Sequence, residues 1–161
     1  MKEATIILAV IVAFASSLAY AGVSKEHYKS GKLKMERSLK GGKAEGVSRS
    51  YYESGQLKIE INFKNGRPEG PIKVYYENGQ LKVEDNYKGG NKEGVSKRYY
   101  KSGKLKEESN WKDNVQDGVT RGYYEDGSTK YIGTYVKDEL VNMKKYDAKG
   151  ELEFDQDYPA E

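Results

Sequence analysis

Tyr51, Tyr75, Tyr99 and Tyr123 recur at intervals of 24 residues, and two positions before each stands a base: Arg49, Lys73, Lys97 and Arg121. In an extended chain, positions i and i−2 lie on the same face, so the spacing predicts a ladder of rings interleaved with cations. Two chemistries suit it. Basic stems can cover the rings and add a modest cation–π attraction, a purely structural use. Alternatively, rings left exposed can grip another chain or a glycan, since tyrosine and arginine are enriched where binding energy concentrates. These eight residues are the candidate partner-binding site.

Catalysis is not expected. The chain has one histidine, His27, and no cysteine. A nucleophile–base arrangement needs a base held against serine or cysteine, and a zinc site needs nitrogen or sulfur ligands. His27 stands where later copies place tyrosine and reads as a polar substitute on an end strand. Glu60, Glu84 and Glu108 form a column, with Lys58, Lys82 and Lys106 two residues earlier. That column reads as a solvated lattice of alternating charge, because a catalytic acid needs a pocket to desolvate it. Asp113, Asn114 and Asp117 offer oxygen ligands, but the spacing of a calcium loop is missing and they read as turn formers. No catalytic residue, metal or cofactor is predicted.

What positions the ladder is a repeat. YYENGQLKVEDNYKGG at residues 75–90 has counterparts 24 residues upstream and downstream, and Gly31, Gly55, Gly79, Gly103 and Gly127 keep the same interval. Within a unit the apolar period is two: Leu57, Ile59, Ile61 and Phe63 point one way, and Gln56, Lys58, Glu60, Asn62 and Lys64 the other. That alternation predicts half-buried strands. Asn78-Gly79 and Asp126-Gly127 suit type I′ turns, and Gly41-Gly42, Asn65-Gly66, Gly89-Gly90 and Asp113-Asn114 mark turns at the opposite end. The fold class is therefore all-β: tandem 24-residue β-hairpin repeats forming one elongated antiparallel sheet. At ~4.8 Å per strand, each unit adds ~10 Å and the array runs ~50 Å. Repeat units begin near residues 27, 51, 75, 99 and 123, with a degenerate cap at 146–154, so the array spans 27–154. Both ends are open edges on which a further strand, or another copy, could pair. The oligomeric state stays open.

Residues 1–21 are a separate object. A weakly positive start precedes the apolar run TIILAVIVAFASSLA, and Ala19 and Ala21 fit the small-residue pattern of a secretory signal cleaved after Ala21. An uncleaved anchor is the alternative. Residues 22–26 then read as a linker and 155–161 as a disordered tail. An exported chain without cysteine points to a bacterial periplasm, cell envelope or secreted location. With 28 basic against 25 acidic residues in a chain of 161, charge is nearly balanced. Nucleic acid is excluded as a partner, since it calls for a concentrated basic surface. Order must come from the 15 tyrosines and from repetition rather than from an aliphatic core.

The pattern GxxxxxYYxxGQLKxExxYKxGxxEG resembles the MORN-repeat variant, in the form found in tandem in bacterial proteins of the YwqK-like antitoxin family. The resemblance covers residues 27–135. It implies an elongated hairpin array that binds partners, some members neutralising a toxin, while other MORN repeats imply membranes and phospholipids. The expected function is thus an exported, non-enzymatic scaffold with a protein partner, as an antitoxin or immunity protein. The alternative is a structural or adhesive envelope protein binding glycan or a membrane surface.

Overall fold

The computed structural model describes residues 21–159. The strands are β1 (Ala21–His27), β2 (Leu33–Lys40), β3 (Lys43–Tyr51), β4 (Leu57–Lys64), β5 (Arg67–Tyr75), β6 (Leu81–Lys88) and the short β7 (Asn91–Lys92). They continue as β8 (Gly94–Tyr99), β9 (Leu105–Lys112), the short β10 (Val115–Gln116), β11 (Gly118–Tyr123), β12 (Thr129–Val136), β13 (Glu139–Tyr146) and β14 (Leu152–Asp157). All join one antiparallel sheet in which each long strand pairs with its neighbours in the chain; β7 and β10 pair with β6 and β9 at the hairpin ends. The elongated hairpin-repeat sheet is the observed fold. Among the described residues no helix is long and apolar enough to cross a membrane.

Two boundaries differ from expectation. Residues 22–26 are not a linker, because they pair throughout with β2 from Ala21↔Lys40 to Glu26↔Met35. Likewise Asp155, Gln156 and Asp157 are not tail but the end of β14, paired with Lys144, Met143 and Asn142. A strand's backbone groups need partners whatever the side chains are, and each of these segments finds them on an adjacent strand. The signal segment lies outside the described residues apart from Ala21, which begins β1.

The turns alternate in kind, and the type I′ assignment belongs at the opposite end from the expected one. Asn78-Gly79 and Asp126-Gly127 carry positive φ only at the glycine. They sit in four-residue turns closed by Gly79 N–H donating to Tyr76 O and Gly127 N–H to Tyr124 O. Asn78 Oδ1 accepts from Gln80 N–H and Asp126 Oδ1 from Ser128 N–H, so these side chains stabilise the turn without entering the left-handed region. Two consecutive positive φ values occur instead at Gly41-Gly42, Asn65-Gly66, Gly89-Gly90, Asp113-Asn114 and Lys137-Asp138. That pair of angles is what a two-residue hairpin of matching twist requires.

The described residues form no thick core. Among the described residues no large apolar side chain is fully buried; the buried ones are Ser48, Ser96, Ser109 and Thr120. Tyrosine hydroxyls do much of the binding between units. Tyr28, Tyr52, Tyr76 and Tyr100 each donate to a backbone carbonyl one repeat ahead, at Tyr51, Tyr75, Tyr99 and Tyr123, over 2.7–2.8 Å. Tyr124 donates to Tyr146 O at 2.9 Å. A second ladder runs along the turns: Glu45, Glu69 and Glu93 each accept the first backbone N–H of the next unit's turn, at Asn65, Gly89 and Asp113.

Candidate functional site

The register decides what stands beside the candidate residues. In β3 and β4, Arg49 lies opposite Glu60 and Tyr51 opposite Leu57, with the alternation shifting between Ser50 and Tyr51. The same shift recurs at Val74/Tyr75, Arg98/Tyr99 and Gly122/Tyr123. Each ring of the candidate ladder therefore sits at a bulge, where one strand carries an extra residue and twists more strongly. Arg49, Val47 and Tyr51 share a face with Glu60 and Asn62. Ser48 and Ser50 share the opposite face with Ile61 and Ile59.

On the candidate face, basic residues pair with carboxylates across the strands rather than covering rings. Arg49 Nε lies 2.7 Å from Glu60 Oε2, and its Nη1 lies 3.9 Å from Glu36 Oε1. Lys73 is 3.7 Å from Glu84, and Lys97 is 3.7 Å from Glu108. Arg121 stands between Glu108 and Ile132 on the neighbouring strands. Tyr51 adds a 2.7 Å hydrogen bond from its hydroxyl to Glu36. Its phenol is held above the usual range, first by burial and then by that hydrogen bond, and the hydrogen bond to Glu60 pushes Arg49 upward. Tyr51, Tyr75, Tyr99 and Tyr123 are all half-buried, so their rings remain partly open to solvent. The eight residues are brought together as one repeating surface, with an acidic column completing it.

The lattice drawn from sequence is corrected accordingly. Glu60, Glu84 and Glu108 pair with Arg49, Lys73 and Lys97, not with Lys58, Lys82 and Lys106. The reason is the bulge, which takes Lys58 out of the pairing and over another ring. Lys58, Lys82, Lys106 and Lys130 stand 5.3–5.6 Å from the ring centres of Tyr52, Tyr76, Tyr100 and Tyr124. The cation–π packing is thus real but belongs to the second tyrosine of each pair. Those second tyrosines, which also bridge the units, are what the candidate set left out. A signal was present: Tyr28 persists in the first unit where its predecessor has become His27.

The opposite face changes character along the array. At its N-terminal end Met35, Ala44, Ile59, Ile61 and Phe63 line an open cavity of about 430 Å³, with Ser48 and Ser50 beside them. Farther along it turns polar. Lys92 Nζ lies 2.9 Å from Asp85 and 3.9 Å from the Trp111 ring centre, and Ser96 donates to Asp85. Beyond these, the Tyr131 hydroxyl donates to Glu107, which also holds Arg98 at 3.2 Å. Gly122 faces Tyr131 because a Cβ there would stand 2.1 Å from the ring. Among the described residues no cluster of His, Asp and Glu has the arrangement to hold a metal ion. His27 ends β1 opposite Leu33, and Asp113-Asn114 form a turn.

Against known proteins, no curated protein matches this chain. Among solved structures, a chain of the GtfA/B complex bound to UDP and GlcNAc shares 11% identity at a TM-score of 0.30. That match covers 89% of this chain and spans 25% of the other's length. The family model described as MORN repeat variant matches at residues 44–65, 68–88, 92–113 and 116–137. The hairpins on either side of these stretches, from β1 to β2 and from β13 to β14, continue the same strand order. Four consecutive matches cover more than half of the sequence, and their period is that of the observed hairpins: the chain belongs to the MORN repeat variant family.

Proposed function

We propose that this repeat scaffold is an exported, non-enzymatic protein that binds a protein partner through the face carrying Tyr51, Tyr75, Tyr99 and Tyr123. The observation that carries the reading is the regular, half-exposed ring column flanked by Arg49–Glu60, Lys73–Glu84 and Lys97–Glu108. Because each of these bases has a carboxylate beside it, the face has little net positive field. Attraction to an anionic membrane needs clustered, unneutralised lysine or arginine. A protein surface of mixed charge, offering its own aromatic and hydrogen-bonding groups, suits the face better. Half-buried carboxylates already engaged with bases on an open sheet also favour binding over acid catalysis. Export rests on the apolar segment and the small residues at 19 and 21. Neutralisation of a toxin, as an antitoxin or immunity protein, is the finer form of the proposal and rests on the resemblance.

The test is capture of partners from an envelope extract by the immobilised protein, with identification by mass spectrometry. One protein retained at near-equal stoichiometry, and lost from a Tyr75→Ala/Tyr99→Ala variant whose circular dichroism is unchanged, is the expected result. Retention of wall or membrane fragments alone would overturn the protein-partner reading in favour of an envelope scaffold. Loss of the β signal in the variant would assign those rings to structure and remove them from the site.

A further inference from the structure

The array begins and ends on complementary halves of its own repeat. In every internal unit, a strand ending in the tyrosine pair is followed by one that begins after the turn glycine, and β4 then presents its free side to β5. β1 is a strand of the first kind, since Tyr28 bridges forward as Tyr52 does. β14 is a strand of the second kind, since Phe154 pairs with Lys145 and Leu152 with Tyr146 as Ile59 pairs with Ser50 and Leu57 with Tyr51. The outer edge of β14 is thus shaped to receive a strand such as β1, and the chain carries one at its other end.

The side chains agree with this phase. Transferring the β4–β5 register, Ile59↔Val74, Glu60↔Lys73 and Ile61↔Ile72, onto β14 and β1 sets Phe154 opposite Glu26, Asp155 opposite Lys25 and Gln156 opposite Ser24. Inside the chain Lys25 already lies opposite Glu36, and Asp155 lies 2.8 Å from Lys144. A joint would place Lys25 between two carboxylates and Asp155 between two bases, which is the acid–base alternation of Arg49, Glu60, Lys73 and Glu84. Among the described residues, three of the five exposed large apolar side chains, Val23, Leu152 and Phe154, also lie on these two strands, at 62%, 54% and 39% exposure. An open edge bearing apolar side chains is a template for pairing.

We propose that copies of this chain associate head to tail, β14 of one pairing antiparallel with β1 of the next, to extend the sheet across the joint. Such a contact is heterologous, joining a different edge of each copy, so every joint leaves an outer edge free to add a further copy. The joint is weaker than an internal one. Asp147 stands where Tyr52, Tyr76, Tyr100 and Tyr124 stand, so no phenol bridges from this turn to the next copy's His27 carbonyl. The association is therefore reversible and concentration-dependent.

The test is sedimentation velocity on the full chain over a range of concentrations. The weight-average mass is expected to rise with concentration. Lys25→Glu or Asp155→Lys should each weaken association by at least about fivefold, because like charges then face each other across the joint. An equimolar mixture of the two variants should restore it, since every joint between them is again of opposite charge. Circular dichroism of each variant reports that the sheet is intact. As a register check, the cysteine-free chain carrying Ser24→Cys and Gln156→Cys should give a ladder of disulfide-linked multiples, while Ser24→Cys with Leu152→Cys should not. A mass independent of concentration would overturn the proposal. So would variants that associate as the unaltered chain does, or a mixture no larger than its components.

Discussion

Tyr76 shows what a single side chain contributes in this sheet. Its ring carries Lys82 above it, and its hydroxyl closes a 2.8 Å bond to the Tyr99 carbonyl, tying one repeat to the next. Tyr76→Phe keeps the ring and deletes the bond, so urea unfolding should show a loss of about 0.5–1.5 kcal/mol. Tyr131 titrates in a way that can be followed. Burial first, and the hydrogen bond to Glu107 second, hold its phenol well above the usual tyrosine value. A proton held more tightly in the folded than in the unfolded chain contributes stability that is complete below the unfolded pKa of about 10. The contribution is lost as pH rises through the higher folded value. Unfolding midpoints measured from about pH 9 upward should therefore fall less steeply for Tyr131→Phe than for the unaltered chain. At this scale the sequence was partly legible. The column Tyr51, Tyr75, Tyr99 and Tyr123 and its bases are on one face as the period-two rule requires, but their partners were misassigned. Alternation counted through Lys58 cannot see a bulge, and the bulge moves the lysine to Tyr52.

Hairpins are the units that had to be read correctly for the fold, and turn chemistry made that straightforward. Glycine at 31, 55, 79, 103 and 127 fixed one end of each hairpin. What could not be read was turn type, because Asn-Gly fits both a type I′ turn and a four-residue turn ending in a left-handed glycine. The discriminating feature lies in the number of residues between paired positions, which depends on register. Lys137-Asp138 carries no glycine or asparagine to signal a turn, yet it adopts the two positive φ values, 50° and 71°, that elsewhere fall largely on Gly and Asn. A lysine in that region carries a steric cost of about 1–2 kcal/mol. Lys137→Gly removes it at some entropic expense, so thermal unfolding should show a gain of up to about 1 kcal/mol. Asp138 is the poorer choice for replacement, since its Oδ1 accepts the Gln116 N–H at 2.6 Å. The strand limits at 22–26 and 155–157 were missed for a related reason. Apart from Gly22 and Val23 their side chains are polar, none shows an apolar alternation, and backbone pairing with β2 and β13 makes them strands.

For the molecule as a whole, contacts run between adjacent strands or reach one strand farther, as from Tyr131 to Glu107, so stability is a sum of local terms passed along a line. A binding face assembled this way gains or loses a rung with each repeat, and its rings keep one spacing. The absence of buried large apolar side chains among the described residues reaches further, into how the protein responds to temperature. Exposing apolar surface raises the heat capacity on unfolding, and exposing polar surface lowers it; ordinary domains gain about 12–15 cal/mol/K per residue. A sheet held by tyrosine hydroxyls, ion pairs and backbone ladders has less apolar surface to expose, and scanning calorimetry should find a value below that range. Its stability curve is then a shallow arc instead of a steep dome. The protein should lose little stability on cooling, and it should hold a nearly constant margin of folding across the span in which a protein with a conventional core passes through its maximum.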